Sequence, residues 1–187
     1  MSAQLAGKRV LILATNGFEQ SELEVPRDRL TEAGAEVHIV SPEPGVIRGW
    51  DGDDWGQAVQ VDLTLASADA ARYDALVLPG GQINPDLLRV NDDALALIKA
   101  FYRGGKPIAA VCHAPWLLIE AGLVTNLKMT SYKSIKTDVI NAGGKWEDSA
   151  VVSDSGIVTS RNPGDLEAFS KQIIAEIKAS RHQREAA

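Results

Sequence analysis

The chain has 187 residues, with 19 Lys and Arg against 25 Asp and Glu, for a formal net charge of −6. This length suits one well-cored domain, taken as residues 1–187 with a core over about 8–177, and leaves too little for two ordinary ones. Apolar residues at 45% and charged residues at 24% exclude disorder and collagen-like repeats, and an acidic balance without a basic run disfavours nucleic acid as a partner.

One cysteine, Cys112, permits no intrachain disulfide, and three scattered histidines, His38, His113 and His182, lack zinc-ligand spacing. Neither a metal nor a cofactor is expected, and the cysteine usage fits a reducing, cytoplasmic compartment. The apolar run Val10 to Ala14 after Lys8-Arg9 is shorter than the roughly 7–15 residues of an export-signal core. Pro107 to Val124 is the most membrane-like stretch, but two prolines and a glycine interrupt it. A strand, a turn and a helix are expected there, not a membrane span.

In chain order, Arg9 to Ala14 reads as a strand buried on both faces of a parallel sheet, with a short turn from Thr15 to Phe18. Ser21 to Ala33 reads as a helix kinked by Pro26 and stopped by Gly34, and Glu36 to Val40 as the strand that completes a βαβ unit. Ser41 to Leu65, rich in Pro, Gly and Asp, is expected to be a hairpin-like loop region. Short β pieces at Val46-Ile47 and Val59 to Val61 flank its Gly49 to Gly56 stretch. Asp74 to Leu78 is a buried strand ending in Pro79-Gly80-Gly81, and Gln82 to Asn91 reads as a loop exposing Ile83, Leu87 and Leu88. Asn91 caps a helix whose apolar face is Ala94, Leu97, Ile98 and Phe101, closed by Gly104-Gly105.

Pro107 to Val111 is a strand, Ala114 to Ala121 a helix, Met129-Thr130 a short strand and Ser134 to Ala142 a helix. Val151-Val152 and Ile157-Val158 form a hairpin. The last helix starts near Asn162-Pro163 and places Leu166, Phe169, Ile173, Ile174 and Ile177 on one face. Lys178 to Ala187 reads as a charged, frayed tail. Strands alternating with helices give a three-layer α/β/α sandwich with a mostly parallel sheet, in which ligands gather outside the carboxyl ends of the strands.

Cys112 stands at that edge, between the strand ending at Val111 and the helix beginning near Ala114. A tight strand-to-helix turn exposes such a thiol and aims helix N–H groups at it, which lowers its pKa. A lone cysteine otherwise reads as a small buried hydrophobe; the elbow context favours the activated thiol. His113 can act as base or leaving-group acid, or only hydrogen-bond the backbone. Glu19, Glu22 and Glu24 open the first helix, where acidic side chains complement the helix dipole. One of them can also reach the sulfur, and to help it must be protonated, because an ionised carboxylate repels a thiolate. The Gly80-Gly81 turn and the His113 amide can form an oxyanion hole, or the glycines can make a plain tight turn. Neither glycine belongs to a nucleotide-binding fingerprint.

Gly17-Phe-Glu-Gln-Ser-Glu-Leu23, Leu76-Val-Leu-Pro-Gly-Gly81, Ala110-Val-Cys-His-Ala-Pro115, Thr130-Ser-Tyr132 and Thr159-Ser-Arg161 resemble, in order and spacing, the PfpI family of intracellular proteases and deglycases. The resemblance runs from about Lys8 to Ile177 and implies a flavodoxin-like fold. It further implies Cys112 as nucleophile, Glu22 as the protonated carboxyl hydrogen-bonded to it, His113 as the catalytic histidine, and Gly81 with the His113 amide as the oxyanion hole beside Gly80. Glu19, Tyr132 and Arg161 are its implied substrate-binding residues. Asp86 resembles the acidic residue that family members offer to the histidine from an adjacent subunit, here in a loop one residue longer and as Asp instead of Glu. Ala114 replaces the commoner Gly, and its methyl is expected to narrow the pocket.

The implied activity is that of a cofactor-free cysteine hydrolase acting on small carbonyl compounds, glycated amines and thiols, or peptides, in a homodimer or larger homo-oligomer without a membrane partner. The alternative is a non-enzymatic redox sensor or stress chaperone in which Cys112 is oxidised to a sulfinate. A glutamine amidotransferase is disfavoured, because its downstream histidine has only His182, in the tail, as a candidate.

Overall fold

The computed structural model describes residues 3–179. The first half of the chain forms β1 (Arg9–Leu13), β2 (Phe18–Glu19), α1 (Gln20–Glu32), β3 (Glu36–Ser41), β4 (Val46–Asp51), β5 (Asp54–Gln60), β6 (Leu63–Thr64) and β7 (Ala75–Leu78). The second half forms α2 (Ile83–Leu88), α3 (Asp92–Arg103), β8 (Ile108–Val111), α4 (Pro115–Glu120), β9 (Lys128–Met129), α5 (Lys136–Asn141), β10 (Lys145–Trp146), β11 (Val151–Asp154), β12 (Ile157–Ser160) and α6 (Leu166–Ala179). Seven strands make one sheet in the order β11-β12-β8-β7-β1-β3-β6. All its pairings are parallel except β11 with β12.

The period-two alternation of a strand decides which side chain meets which layer. In β1, Val10 and Ile12 face the layer of α1 and α6 and pack in one cluster with Leu23, Leu30, Phe169 and Ile173. Leu11 and Leu13 point the other way, into a cluster with Leu97, Ile98, Phe101 and Leu117 of α3 and α4. Both faces of the sheet are covered, which is why β1, β7 and β8 read as unbroken apolar runs and bury nearly every side chain. Each Leu, Ile or Phe so buried contributes roughly 1.5–3 kcal/mol. This is the expected three-layer, flavodoxin-like sandwich. Among the described residues no helix is long and apolar enough to cross a membrane.

Several elements depart from the expectation. Gly49 to Gly56, read as loop, belongs largely to the paired strands of a hairpin, since β4 and β5 run antiparallel from Val46↔Gln60 to Asp51↔Asp54. Trp50 and Trp55 meet edge-on across it at 5.5 Å, a cross-strand aromatic contact whose cohesion the Gly and Asp composition conceals. The Gln82 to Asn91 loop contains α2, which tolerates Pro85 because that residue falls in the first turn, where no intrahelical N–H is required. Leu88, expected to be exposed, is fully buried, whereas Ile83 and Leu87 are exposed. β2, β6 and β10 are two-residue strands without a sequence signal. Lys178 and Ala179, assigned to the tail, continue α6; the remaining tail and His182 lie outside the described residues.

Candidate active site

The parallel strands β1, β7 and β8 end at one edge of the sheet, and the turns that leave them build the site. Cys112 follows β8 with φ +63°, in the left-handed region that costs an L-residue roughly 1–2 kcal/mol. Three backbone hydrogen bonds hold it there. The Cys112 N–H donates to Ser160 O (3.0 Å), the Tyr132 N–H to Cys112 O (2.8 Å) and the Ala114 N–H to Val111 O (3.0 Å). A strained residue so firmly tied marks a functional turn.

Glu22 projects from the first turns of α1 and is fully buried. Its Oε2 accepts the Gly80 N–H at 2.9 Å. Its side chain also interacts with the Cys112 thiol, and the buried Oε1 has no hydrogen-bond partner. Burial, reinforced by the nearby Glu19, pushes the Glu22 carboxyl up to about 8 and outweighs the hydrogen bonds from Gly80, Cys112 and Gly81 that favour its ionised form, so at neutral pH it keeps its proton. Gly80 sits between the two groups so tightly that a Cβ there would lie 2.5 Å from Glu22 Oε2 and 2.7 Å from Cys112 Cβ. Its amide is therefore spent on Glu22 and does not face substrate, a correction to its expected oxyanion role. The Gly81 and His113 amides do point at the Cys112 sulfur and favour its anion.

The expected exposed, acidified thiol is not what the fold builds. Cys112 is only 6% exposed, and burial, then the Glu22 charge whenever that carboxyl ionises, pushes the thiol up. Desolvation outweighs the two amides, so the resting pair is a thiol beside a carboxylic acid. His113 is buried too, and burial lowers its affinity for a second proton. Its Nδ1 lies 3.1 Å from Cys112 Sγ and its Nε2 lies 3.0 Å from Ser134 Oγ. The ring stacks on Tyr132 (4.8 Å between centroids, 24° between planes) and meets the edge of Trp116 at 5.2 Å.

A cleft of about 450 Å³ opens above these groups, lined by Gly17, Glu19, Glu22, Trp50, Gly81, Ile83, Cys112, His113, Tyr132 and Pro163 among others. Its size suits a small molecule or one side chain. The fold thus brings together Cys112, His113, Glu22, Glu19, Gly80, Gly81 and Tyr132. Glu19 has its own affinity for protons raised, chiefly by burial and further by Asp51.

Two expected residues lie elsewhere. Arg161 is held by Asp165 (2.8 Å) and Asp148 (2.7 Å) and does not line the cleft, because carboxylates of its own neighbourhood occupy the guanidinium. Asp86 stands on the exposed face of α2 and does not line the cleft. Ala114 is fully buried in the α3 and α4 cluster, so its methyl packs the core and does not narrow the pocket.

Three contributors escaped the sequence. Trp50 reaches the cleft because β4 pairs with β2 beside the turn that follows β1. Buried Asn84 accepts from the Thr15 N–H (2.8 Å) and donates to Pro79 O (2.9 Å) and Gly80 O (3.1 Å), which stitches two of the site's turns together. Ser134 meets His113 from a loop whose only sequence cue, a hydroxyl two residues after Tyr132, is indistinguishable from a surface serine.

Comparison with known proteins places the chain in a family. The pattern of the DJ-1/PfpI family matches residues 8–176. Deglycase PfpI of Pyrococcus furiosus is 44% identical over 170 residues, which is 91% of this chain and 99% of that protein. Drosophila melanogaster DJ-1beta superposes with a TM-score of 0.84 at 28% identity, covering 96% of this chain and 92% of that one. An Anabaena variabilis protein with DJ-1/ThiJ/PfpI-like and ferritin-like domains superposes with a TM-score of 0.86 at 34% identity. The match covers 91% of this chain and, because of the second domain there, 48% of that one. With a strained cysteine elbow, a buried acid beside the thiol and a match along nearly the whole described chain, this protein belongs to the DJ-1/PfpI family.

Proposed function

We propose that the chain is a cysteine-dependent hydrolase of the PfpI type, a deglycase that releases α-oxoaldehyde adducts from amines and thiols. The observation that carries this reading is the Cys112 elbow, with His113 Nδ1 3.1 Å from the sulfur and a protonated Glu22 hydrogen-bonded beside it. The similarity to deglycase PfpI supports the hydrolytic class.

Each group has a task in such a reaction. The Cys112 proton passes to His113 Nδ1 as the sulfur electron pair forms a bond to the substrate carbonyl carbon, and the carbonyl π pair moves onto oxygen. The Gly81 and His113 amides, aimed at the sulfur in the resting site, lie where the developing oxyanion needs donors. Glu22, neutral and donating to sulfur, supports the anion without repelling it. The amine or thiol departs with the hydroxyl proton of the adduct carbon as that carbon becomes the aldehyde the sulfur attacks. The His113 proton passes to the oxyanion, and a hydrogen shift from this carbon to the neighbouring carbonyl carbon gives the Cys112 thioester of the α-hydroxy acid. One water hydrolyses it and returns the thiol. Tyr132, Trp50 and Glu19 wall the cleft and receive the rest of the substrate.

The test is a product-resolved screen of free glyoxals, glycated amino acids and small peptides on wild type and Cys112→Ser. Release of free amine or thiol together with an α-hydroxy acid, lost in the variant, is the expected outcome. Peptide cleavage without adduct release would make the protein a peptidase instead, and turnover retained by Cys112→Ser would remove the nucleophile assignment.

A further inference from the structure

The mechanism leaves one ring nitrogen of His113 unexplained. A neutral imidazole carries one proton, and the hydrogen bond made by one nitrogen decides whether the other is donor or acceptor. Nδ1 lies 3.1 Å from the Cys112 sulfur; to take the thiol proton in the proposed hydrolysis it must present its lone pair, and the ring proton must then sit on Nε2. That proton needs an acceptor, and Ser134 Oγ lies 3.0 Å away. The opposite arrangement, with Ser134 donating to Nε2, would put the ring proton on Nδ1, where it could donate to the sulfur but could not take the Cys112 proton in the proposed hydrolysis.

We propose that Ser134 is the positioning residue of His113: its hydroxyl oxygen accepts the Nε2–H, fixes the tautomer, and turns the Nδ1 lone pair toward Cys112. This rests on the reading of His113 as the base in the proposed hydrolysis.

The local backbone supports the role. Ser134 lies in a 3₁₀ turn, Lys133–Ile135, closed by the Ile135 N–H on Tyr132 O (3.1 Å), and the Tyr132 N–H donates to Cys112 O (2.8 Å). The loop that carries the serine is thereby bonded to the elbow that carries the nucleophile. Tyr132 between them stacks on the imidazole face, so one segment fixes both the plane of the ring and its proton. A hydroxyl also orients the ring without adding a negative charge, which keeps the imidazole neutral and ready to accept the thiol proton. Asp86, the residue expected to face the histidine from a neighbouring subunit, does not hold this position within the chain.

The experiment uses the full chain with ¹⁵N-labelled histidine, the His113 signals being assigned against a His113→Gln control. Wild type is expected to show a bare Nδ1 and a protonated Nε2. Ser134→Ala is expected to give a mixture of tautomers, about tenfold slower alkylation of Cys112 by iodoacetamide, and about tenfold lower kcat on an adduct substrate with KM little changed. Ser134→Thr, which keeps the hydroxyl, is expected to restore both the tautomer and the rates.

A proton on Nδ1 in wild type, or a Ser134→Ala protein with unchanged tautomer and rates, would overturn the assignment. Should Ser134→Ala fail to fold, the wild-type tautomer and the Ser134→Thr rates still decide it. Because tautomer and alkylation need no substrate, a wild type without turnover would remove the proposed hydrolysis and leave the Ser134 assignment to stand or fall by itself.

Discussion

Glu22 binds a proton in the folded state that it would release in the unfolded chain, and this has a measurable consequence. Its carboxyl titrates near 8 when folded and near its ordinary 4.5 when unfolded, so between those values the native state holds one more proton. Stability from this group is fully present below about 4.5 and is lost as pH rises through 8, with a slope approaching 1.4 kcal/mol per pH unit. Cys112 is also shifted upward, but its unfolded value lies above this window. Glu22→Gln should abolish the decline, as read by urea midpoints at pH 5 and 8; equal declines in both proteins would mean that Glu22 is ionised in the fold. Gly80→Ala should be more damaging than its size suggests. Its methyl would enter space held by Glu22, Cys112 Cβ and Val111 O, costing roughly 1–3 kcal/mol and most of the turnover, whereas near-normal melting and activity would contradict the tight packing. Cys112, His113, Glu22 and Gly81 were legible because each sits directly after a recognisable strand or at a helix start. The burial of the thiol was not, since accessibility depends on the hairpin and loops that close over the elbow and carry no motif.

At the level of elements, the buried strands and the long helices could be read from the chain because their signal is local. α3 begins where Asn91 caps it, with Asn91 Oδ1 accepting the Ala94 N–H at 2.9 Å. α6 carries the expected buried Leu166, Phe169, Ile173 and Ile177. α2 and the β4–β5 hairpin were hidden because their cohesion comes from contacts with other parts of the chain. Asn84 is the clearest case, for nothing in Gln82-Ile-Asn-Pro announces a residue that joins the turns after β1 and β7. Asn84→Leu would leave the Thr15 N–H and the Pro79 and Gly80 carbonyls without this partner, a loss on the order of 1–3 kcal/mol for each buried group left unsatisfied. The expected result is a clear drop in melting temperature with a further fall in Cys112 alkylation rate, because the Gly81 amide moves with its turn. A normal alkylation rate in the folded variant would show that the turn holds its place unaided. Trp50→Ala should act differently, raising KM more than it lowers kcat, since the indole walls the cleft without touching the sulfur, and its effect should be absent for substrates as small as a free glyoxal.

On the scale of the whole molecule, the parallel sheet gathers three turns at one edge, and α2 lies beside that edge with an apolar row turned to solvent. Leu87 is 51% exposed and Val90, just beyond the helix, 80% exposed, more than isolated surface positions usually carry together. Self-association through this row is expected, consistent with the resemblance that led to Asp86 being placed near a subunit boundary. The two accounts of His113 then diverge. If a neighbour's Asp86 orients the ring, separating the subunits must abolish activity; if Ser134 does so from within the chain, separated subunits keep their chemistry. Leu87→Glu with Val90→Glu puts two charges on the row without altering a residue that lines the cleft. Sedimentation equilibrium at micromolar concentration should show wild type larger than a monomer and the double variant shifted to monomer. The monomer should alkylate at Cys112 within about twofold of the wild-type rate, because the Ser134, His113 and Cys112 contacts all lie inside one chain. A monomeric variant that folds normally yet loses reactivity, with the loss reproduced by Asp86→Ala in the assembled protein, would return the orienting role to the neighbouring subunit.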